Sequence, residues 1–435
     1  MHLRPREHGG CSGSLAGMLS AGTFPVWGVP VCLKTGEQSV KFTETLVFPS
    51  GGRSHYRIPS VIATRDGTVL AFCNDRRDTV NDNAPETNVV CACKPLGQAW
   101  SNVKVLAHVD GWACTVGAAV YDENTGAAFC SGTRIPVALY EFGRYSEAEK
   151  QEFERLTQEK VEAAGVAAGD FLLVSQDNGS SWTDRILDIE PYWFEMPDGE
   201  KRPVRGSCHG SGAGITLRHG SRAGRLLCPS RFASGEYHDM DGLRTRSFNN
   251  AIYSDDHGLT WKASAPVQPG TGEGTLMEDG EGNILYNSRA YYEDRRRYLA
   301  VSRDGGETYG DFRTDDFLLD TDYMGCNASL LRVERTDLED ASLLPKEEDS
   351  VTVFVNPRSH DRDHLTACIS FDSGRTWAHM RLIHEGRGAY TSLAFNRRDQ
   401  LFYLLYETGE KDPYDKGIVG AAFDLAWLLQ KEDNG

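Results

Sequence analysis

Ser175-Gln-Asp177-Asn-Gly179-Ser-Ser181-Trp182 recurs as Ser254-Asp-Asp256-His-Gly258-Leu-Thr260-Trp261, as Ser302-Arg-Asp304-Gly-Gly306-Glu-Thr308-Tyr309 and as Ser370-Phe-Asp372-Ser-Gly374-Arg-Thr376-Trp377. The shared pattern is Ser-x-Asp-x-Gly-x-Thr/Ser-aromatic. Each copy follows strand-forming residues: Phe171 to Val174, Asn250 to Tyr253, Tyr298 to Val301 and Leu365 to Ile369. The chemistry is that of a hairpin turn. Asp accepts from backbone amides ahead of it, Gly supplies a positive φ, the hydroxyl residues cap the turn, and the aromatic opens the returning strand. Four copies in separate repeats cannot all line one site, so we read these aspartates as structural. Small antiparallel units at unequal intervals predict an all-β chain folded as a propeller with loops of variable length.

The composition agrees. The 435 residues, 45 of them glycine, hold short apolar runs separated by turns, and a single propeller over residues 41–430 accommodates them. Residues 1–40 read as an N-terminal extension. Ser146 to Ala164 is rich in helix formers without Gly or Pro and predicts a helix inserted on a long loop. Near the end, Gly417 to Phe423 reads as a strand and Leu425 to Gln430 as a short closing helix, with the late strand completing an early blade. No apolar run reaches the roughly 20 residues of a membrane-spanning helix. The net charge of −17 argues against a nucleic-acid partner. Eleven cysteines, an odd number lying mostly in strand-like runs, read as small buried hydrophobes of a reducing compartment. With no convincing signal segment, this favours the cytoplasm, secretion being the alternative. Oligomeric state is not legible.

The chemistry begins at Tyr56-Arg57-Ile58-Pro59, where an arginine interrupts an apolar strand; a buried guanidinium needs an anionic partner. After the turn Arg65-Asp66-Gly67, a second strand from Thr68 to Phe72 leads into Asp75-Arg76-Arg77-Asp78, and Asp82 follows. Alone, this is an ordinary surface salt-bridge cluster. Further on stand Gly272-Glu273-Gly274-Thr275-Leu276-Met277-Glu278, Asn287-Ser288-Arg289, Asn356-Pro357-Arg358 with Arg362, Gly388-Ala389-Tyr390-Thr391-Ser392-Leu393, and Leu404-Leu405-Tyr406-Glu407.

Together with the four turns, these motifs resemble the exo-α-sialidase (neuraminidase) family of six-bladed propellers, from about residue 45 to about 430. The resemblance implies a retaining glycosidase that hydrolyses terminal sialic acids from glycans, glycoproteins and glycolipids without a metal or cofactor. Arg57, Arg289 and Arg362 would hold the sugar carboxylate in the planar, bidentate way that suits arginine, with Arg358 as the fallback for the third. Tyr390 would be the nucleophile, because a neutral phenol avoids the repulsion that an anionic side chain meets at a carbon bearing a carboxylate. Glu273 would be its base, with Glu278 a structural carboxylate. Glu407 would pair with Arg57, and Asp82, ahead of Asp78, would be the general acid, its pKa raised by desolvation on binding.

Arg77 would contact substrate, and Arg76 has no role implied. Trp112 reads either as part of the N-acyl pocket or as core. Cys208-His209-Gly210-Ser-Gly-Ala-Gly214 reads as backbone turn chemistry, not as a phosphate loop. Ser392 stands where the family has Asp, and the tyrosine is untouched by that departure. A trans-sialidase would share all of these residues. A non-catalytic propeller binding glycan or protein would need the turns but not Tyr390, Glu273 and Asp82 beside three arginines.

Overall fold

In the computed structural model the described residues are 41–430, except 83, 85, 137–145, 197, 198, 207–211, 236–238 and 323. The N-terminal extension and most of the Cys208–Gly214 segment therefore lie outside the described residues. The strands fall into successive antiparallel sets of four. The first comprises Ser54–Ala63, Val69–Arg77, Thr87–Lys94 and Lys104–Ala107. The second is Ala113–Tyr121, Ala128–Ile135, Gly169–Ser175 and Thr183–Ile186. The third is Ile215–Thr216, Leu226–Ala233, Ser247–Ser254 and Trp261–Ala263. The fourth is Thr271–Glu278, Ile284–Ala290, Arg296–Ser302 and Gly310–Leu319.

The long strand His379–Asn396 is shared: its first half closes the fifth set, after Ser329–Glu334, Ser350–Pro357 and Asp363–Ser370. Its second half opens the sixth, followed by Leu401–Thr408, Gly417–Phe423 and, returning from the start of the chain, Phe42–Pro49. The closure thus runs opposite to the sequence expectation: an early strand completes the last set. A chain gains the same stabilising ladder from either arrangement, and sequence pattern does not distinguish them.

Six apolar clusters each join two successive sets, and one of them, with Val61, Val69 and Ala71 against Ala394, Tyr403 and Leu405, joins the sixth to the first. The ring is a closed β-propeller. Inner strands such as Ala113–Tyr121 and Thr271–Glu278 are buried along their whole length, and the outer strand Phe42–Pro49 is largely exposed. The eight described cysteines are free and all but Cys93 are buried.

The repeated turns behave as the sequence predicts. In the first, Asp177 accepts from the Ser181 amide at 2.8 Å and hydroxyl at 2.6 Å, and the Gly179 amide donates to the Ser175 hydroxyl at 2.9 Å. Gly179 has φ +85°, and the Trp182 indole donates back to its carbonyl. All four turns join the third and fourth strands of a set. First and third strands run alike, so the turns lie at the C-terminal ends of the inner strands. The helix Glu147–Ala164 is capped by Ser146 with a reciprocal bond to Glu149 and ends at Gly165, φ +63°. Its Lys160 reaches the Gly111 carbonyl at 3.0 Å, which places it beside the N-terminal end of an inner strand.

Candidate active site

Three inner strands carry key side chains where their ladders break. The register slips between Arg57 and Ser60, between Thr271 and Gly274, and between Gly388 and Thr391, so Arg57, Glu273 and Tyr390 all sit at bulges near the N-terminal strand ends. A bulge puts successive side chains out of simple alternation and turns one of them into the channel. The local sequences explain how. Gly272 and Gly274 flank Glu273; a Cβ on them would lie 1.9 Å from the Tyr291 hydroxyl and 2.4 Å from the Tyr286 ring. Ile58, a β-branched residue before proline, sits at φ +64°, a conformation costly enough to need support. Glu407 provides it by accepting from the Ile58 amide at 2.9 Å.

The same carboxylate oxygen accepts from Arg57 Nε at 2.6 Å, and the other accepts from the Tyr390 amide at 3.1 Å. Glu407, fully buried, therefore ties two site residues from different strands to one point. Tyr390 Oη donates to Glu273, with both carboxylate oxygens 2.8 Å away, and receives Arg289 Nη1 at 2.6 Å. Arg289 also bonds Glu273 directly. Arg57 and Arg362 lie over the same tyrosine ring, their guanidinium carbons 5.6 and 5.4 Å from its centroid. Three guanidinium groups from three sets thus surround one phenol. Arg358 turns away, donating to the Phe317 carbonyl at 2.8 Å, so the third arginine brought here is Arg362.

The charges set the protonation states. Burial drives Glu273 up, but the Arg289 charge, then the Arg231 charge, and bonds from Tyr390 and Arg289 outweigh it and hold the carboxyl down at about 2. Burial pushes the Tyr390 phenol well above its ordinary value against the pull of Arg289. At rest the pair is a neutral phenol donating to a carboxylate.

Asp82 sits on the loop after the second strand, 70 % exposed, and bonds Arg76 Nη2 at 2.6 Å. Arg76 itself is buried, lowered first by burial and then by the charge of Arg57 nearby. Arg77, for which sequence expects a substrate contact, points elsewhere and donates to Ser54 at 2.6 Å and Asp75 at 3.1 Å. The reason is parity. Asp75, Arg76 and Arg77 continue the strand and do not form a loop, so Arg76 shares a face with Asn74, which lies opposite Arg57. Asp78 bonds exposed Arg53. Trp112 is 2 % exposed and presents no face to a ligand; of its two readings the structure gives core. Glu278 accepts from the Arg218 and His219 amides, away from Tyr390. Ser392 accepts from the Val61 amide at 3.0 Å, a structural bond between inner strands.

Tyr414, absent from the sequence reading, stands between two of the arginines: its ring lies 3.7 Å from the Arg57 guanidinium carbon and its hydroxyl accepts Arg362 Nη1 at 2.5 Å. Arg231 was missed too; nothing in its strand sequence marks it.

A BNR repeat-like domain matches residues 151–404, more than half of the 435-residue chain. The chain belongs to the BNR repeat-like family. The chain is 29 % identical over 429 residues to a sialidase of Micromonospora viridifaciens, covering 95 % of this chain and 59 % of that protein. It thus spans less than two thirds of that relative's length. It is 24 % identical over 400 residues to an exo-alpha-sialidase of Arthroderma benhamiae, covering 88 % and 86 % of the two chains. The intramolecular trans-sialidase of Ruminococcus gnavus, solved with oseltamivir carboxylate, has the same fold: TM-score 0.60 at 16 % identity, over 89 % of this chain and 98 % of that one.

Proposed function

We propose that this protein is a retaining exo-α-sialidase that removes terminal sialic acids from glycoconjugates through a tyrosyl-sugar intermediate. The observation that carries the reading is Tyr390, bonded to an ionised Glu273 and ringed by Arg57, Arg289 and Arg362. Similarity to named sialidases over nearly the whole chain supports it.

The substrate carboxylate binds among the three arginines. Drawing on Arg289, it weakens the grip that keeps Glu273 a poor base in the free protein, so base strength rises as substrate arrives. Asp82 donates its proton to the glycosidic oxygen as the C–O bond breaks. Tyr390 Oη forms a bond to the anomeric carbon and passes its proton to Glu273. The departing glycan covers Asp82 from water, which favours the protonated form the first step requires. In the second step water attacks the same carbon and gives its proton to Asp82, while Tyr390 leaves and recovers its proton from Glu273. Two displacements retain configuration. Arg76, held between Asp82 and the Arg57 side of the site, orients the acid. The arginines supply electrostatic stabilisation and reverse the potential of an acidic protein locally.

The test is turnover of a fluorogenic α-sialoside by wild type, Tyr390→Phe and Asp82→Ala. Free sialic acid from wild type, with both variants strongly impaired, is expected; no release from wild type removes the enzyme reading. Product analysis with lactose present separates hydrolysis, the expected outcome, from transfer to a second glycan.

A further inference from the structure

The inner strands have two ends, and Arg57, Glu273 and Tyr390 occupy only one of them. At the C-terminal ends, beside the repeated turns, the ring opens into a cavity of about 420 Å³. Arg57 and Ala63 on the first inner strand are separated by about 20 Å of extended chain, so this mouth is distinct from the Tyr390 site.

The cavity is lined by Arg65, Arg218, Arg332, Arg397 and Arg398, against the carboxylates of Glu123 and Asp337 alone. In a chain with net charge −17 that is an unusual concentration of positive charge. Three of the five arginines are committed. Arg218 bonds Asp337 at 2.5 Å, Arg397 bonds Asp337 at 3.0 Å and Glu123 at 3.3 Å, and Arg332 bonds Glu334 at 2.9 Å. The other two are not. Arg65 donates to the Glu123 carbonyl and Arg398 to the Arg65 carbonyl at 3.1 Å, and neither has a carboxylate partner among the described residues.

These two are held together by the fold. Asn396 donates to the Gly67 carbonyl at 3.0 Å, and the turns are so close that a Cβ on Gly67 would lie 2.8 Å from the Arg398 Cβ. The walls also carry the half-buried apolar side chains of Ala63, Ile215, Leu331 and Phe395. Two arginines on touching turns, neither with a carboxylate partner among the described residues, beside partly apolar walls in a pocket of ligand size, suit a molecule with a carboxylate head and an apolar body.

We infer that this far mouth of the channel is a second binding site, for a small organic carboxylate, formed chiefly by Arg65 and Arg398. The site does not depend on the sialidase reading. Both side chains are exposed, so replacing them does not threaten the fold.

The experiment is calorimetric titration of the full chain with phenylbutyrate and, separately, with inorganic phosphate. The proteins are wild type, Arg65→Ala/Arg398→Ala and Arg362→Ala, the last removing part of the Tyr390 site. Saturable phenylbutyrate binding to wild type is expected. The double variant should weaken it at least tenfold, and Arg362→Ala should leave it within about twofold. Phosphate, lacking the apolar body, should bind at least tenfold more weakly than phenylbutyrate. The inference is overturned by absence of saturable binding to wild type, by equal binding to wild type and the double variant, or by loss confined to Arg362→Ala. Phosphate binding as tight as phenylbutyrate overturns the assignment of an organic ligand.

Discussion

Tyr390 Oη lies 2.8 Å from each carboxylate oxygen of Glu273, across 117 residues of sequence and between two strand sets of the ring. A phenol centred on a carboxylate has one direction for its proton. Glu273→Gln keeps the shape and removes the acceptor, so kcat should fall by about a hundredfold to ten-thousandfold, the range for losing a positioned base. Steady-state kinetics on an activated sialoside checks this; a loss in KM alone would reduce Glu273 to a binding group.

The low pKa of Glu273 links this pair to stability. The carboxyl is held at about 2 in the folded protein against 4.5 ordinarily, so the unfolded chain binds the extra proton as pH falls. Its stabilisation is complete above pH 4.5, on the order of 3 kcal/mol, and is lost progressively as pH drops towards 2. Denaturant unfolding across that window should fall more steeply for wild type than for Glu273→Gln.

Glu407 is the bond that keeps Arg57 inside. Glu407→Gln leaves a buried guanidinium uncompensated and should destabilise by about 3–5 kcal/mol. Adding Arg57→Met should recover part of that stability and none of the activity. A double-mutant cycle by urea unfolding measures the coupling, and additivity of the two losses would mean the pair is not coupled.

Tyr414→Phe keeps the ring over Arg57 and removes the acceptor for Arg362. A bond to a charged group contributes about 1.5–3 kcal/mol, so KM should rise about tenfold or more with kcat little changed. An unaltered KM would mean that Tyr414 does not position Arg362.

Gly274→Ala tests the bulge. Its Cβ would meet the Tyr286 ring at 2.4 Å, which costs about 1–3 kcal/mol in packing and shifts Glu273. Activity should fall far more than stability, a contrast read by comparing turnover with the urea midpoint.

Why some of this is legible in sequence and some is not follows from the range of the interactions. The repeated turns are readable because the Ser, Asp and Thr bonds that frame them span four residues or fewer, as between Asp177 and Ser181. The helix from Glu147 is readable for the same reason, through the Ser146–Glu149 cap. Arg57 and Glu407 are 350 residues apart, and an arginine in an apolar run demands a partner without naming it. The resemblance favours Arg77 through its spacing from Asp82, and spacing does not reveal that the strand runs on to Arg77, where parity puts Arg76 on the face of Arg57. Tyr414 lies in a polar hairpin turn with no pattern around it, and its role exists only where that turn folds over two distant arginines. Nothing in Tyr-Arg-Ile-Pro announces that Ile58 adopts a positive φ; Glu407 holds it there.

In the proposed mechanism Tyr390 bonds covalently to the sugar. A fluorinated sialosyl fluoride, which loads the enzyme faster than the intermediate hydrolyses, allows it to be caught by mass spectrometry after proteolysis. A single sialosyl adduct on the peptide bearing Tyr390, absent in Tyr390→Phe, is expected. An adduct on Glu273 or Asp82 instead, or turnover with no adduct on Tyr390, would contradict it.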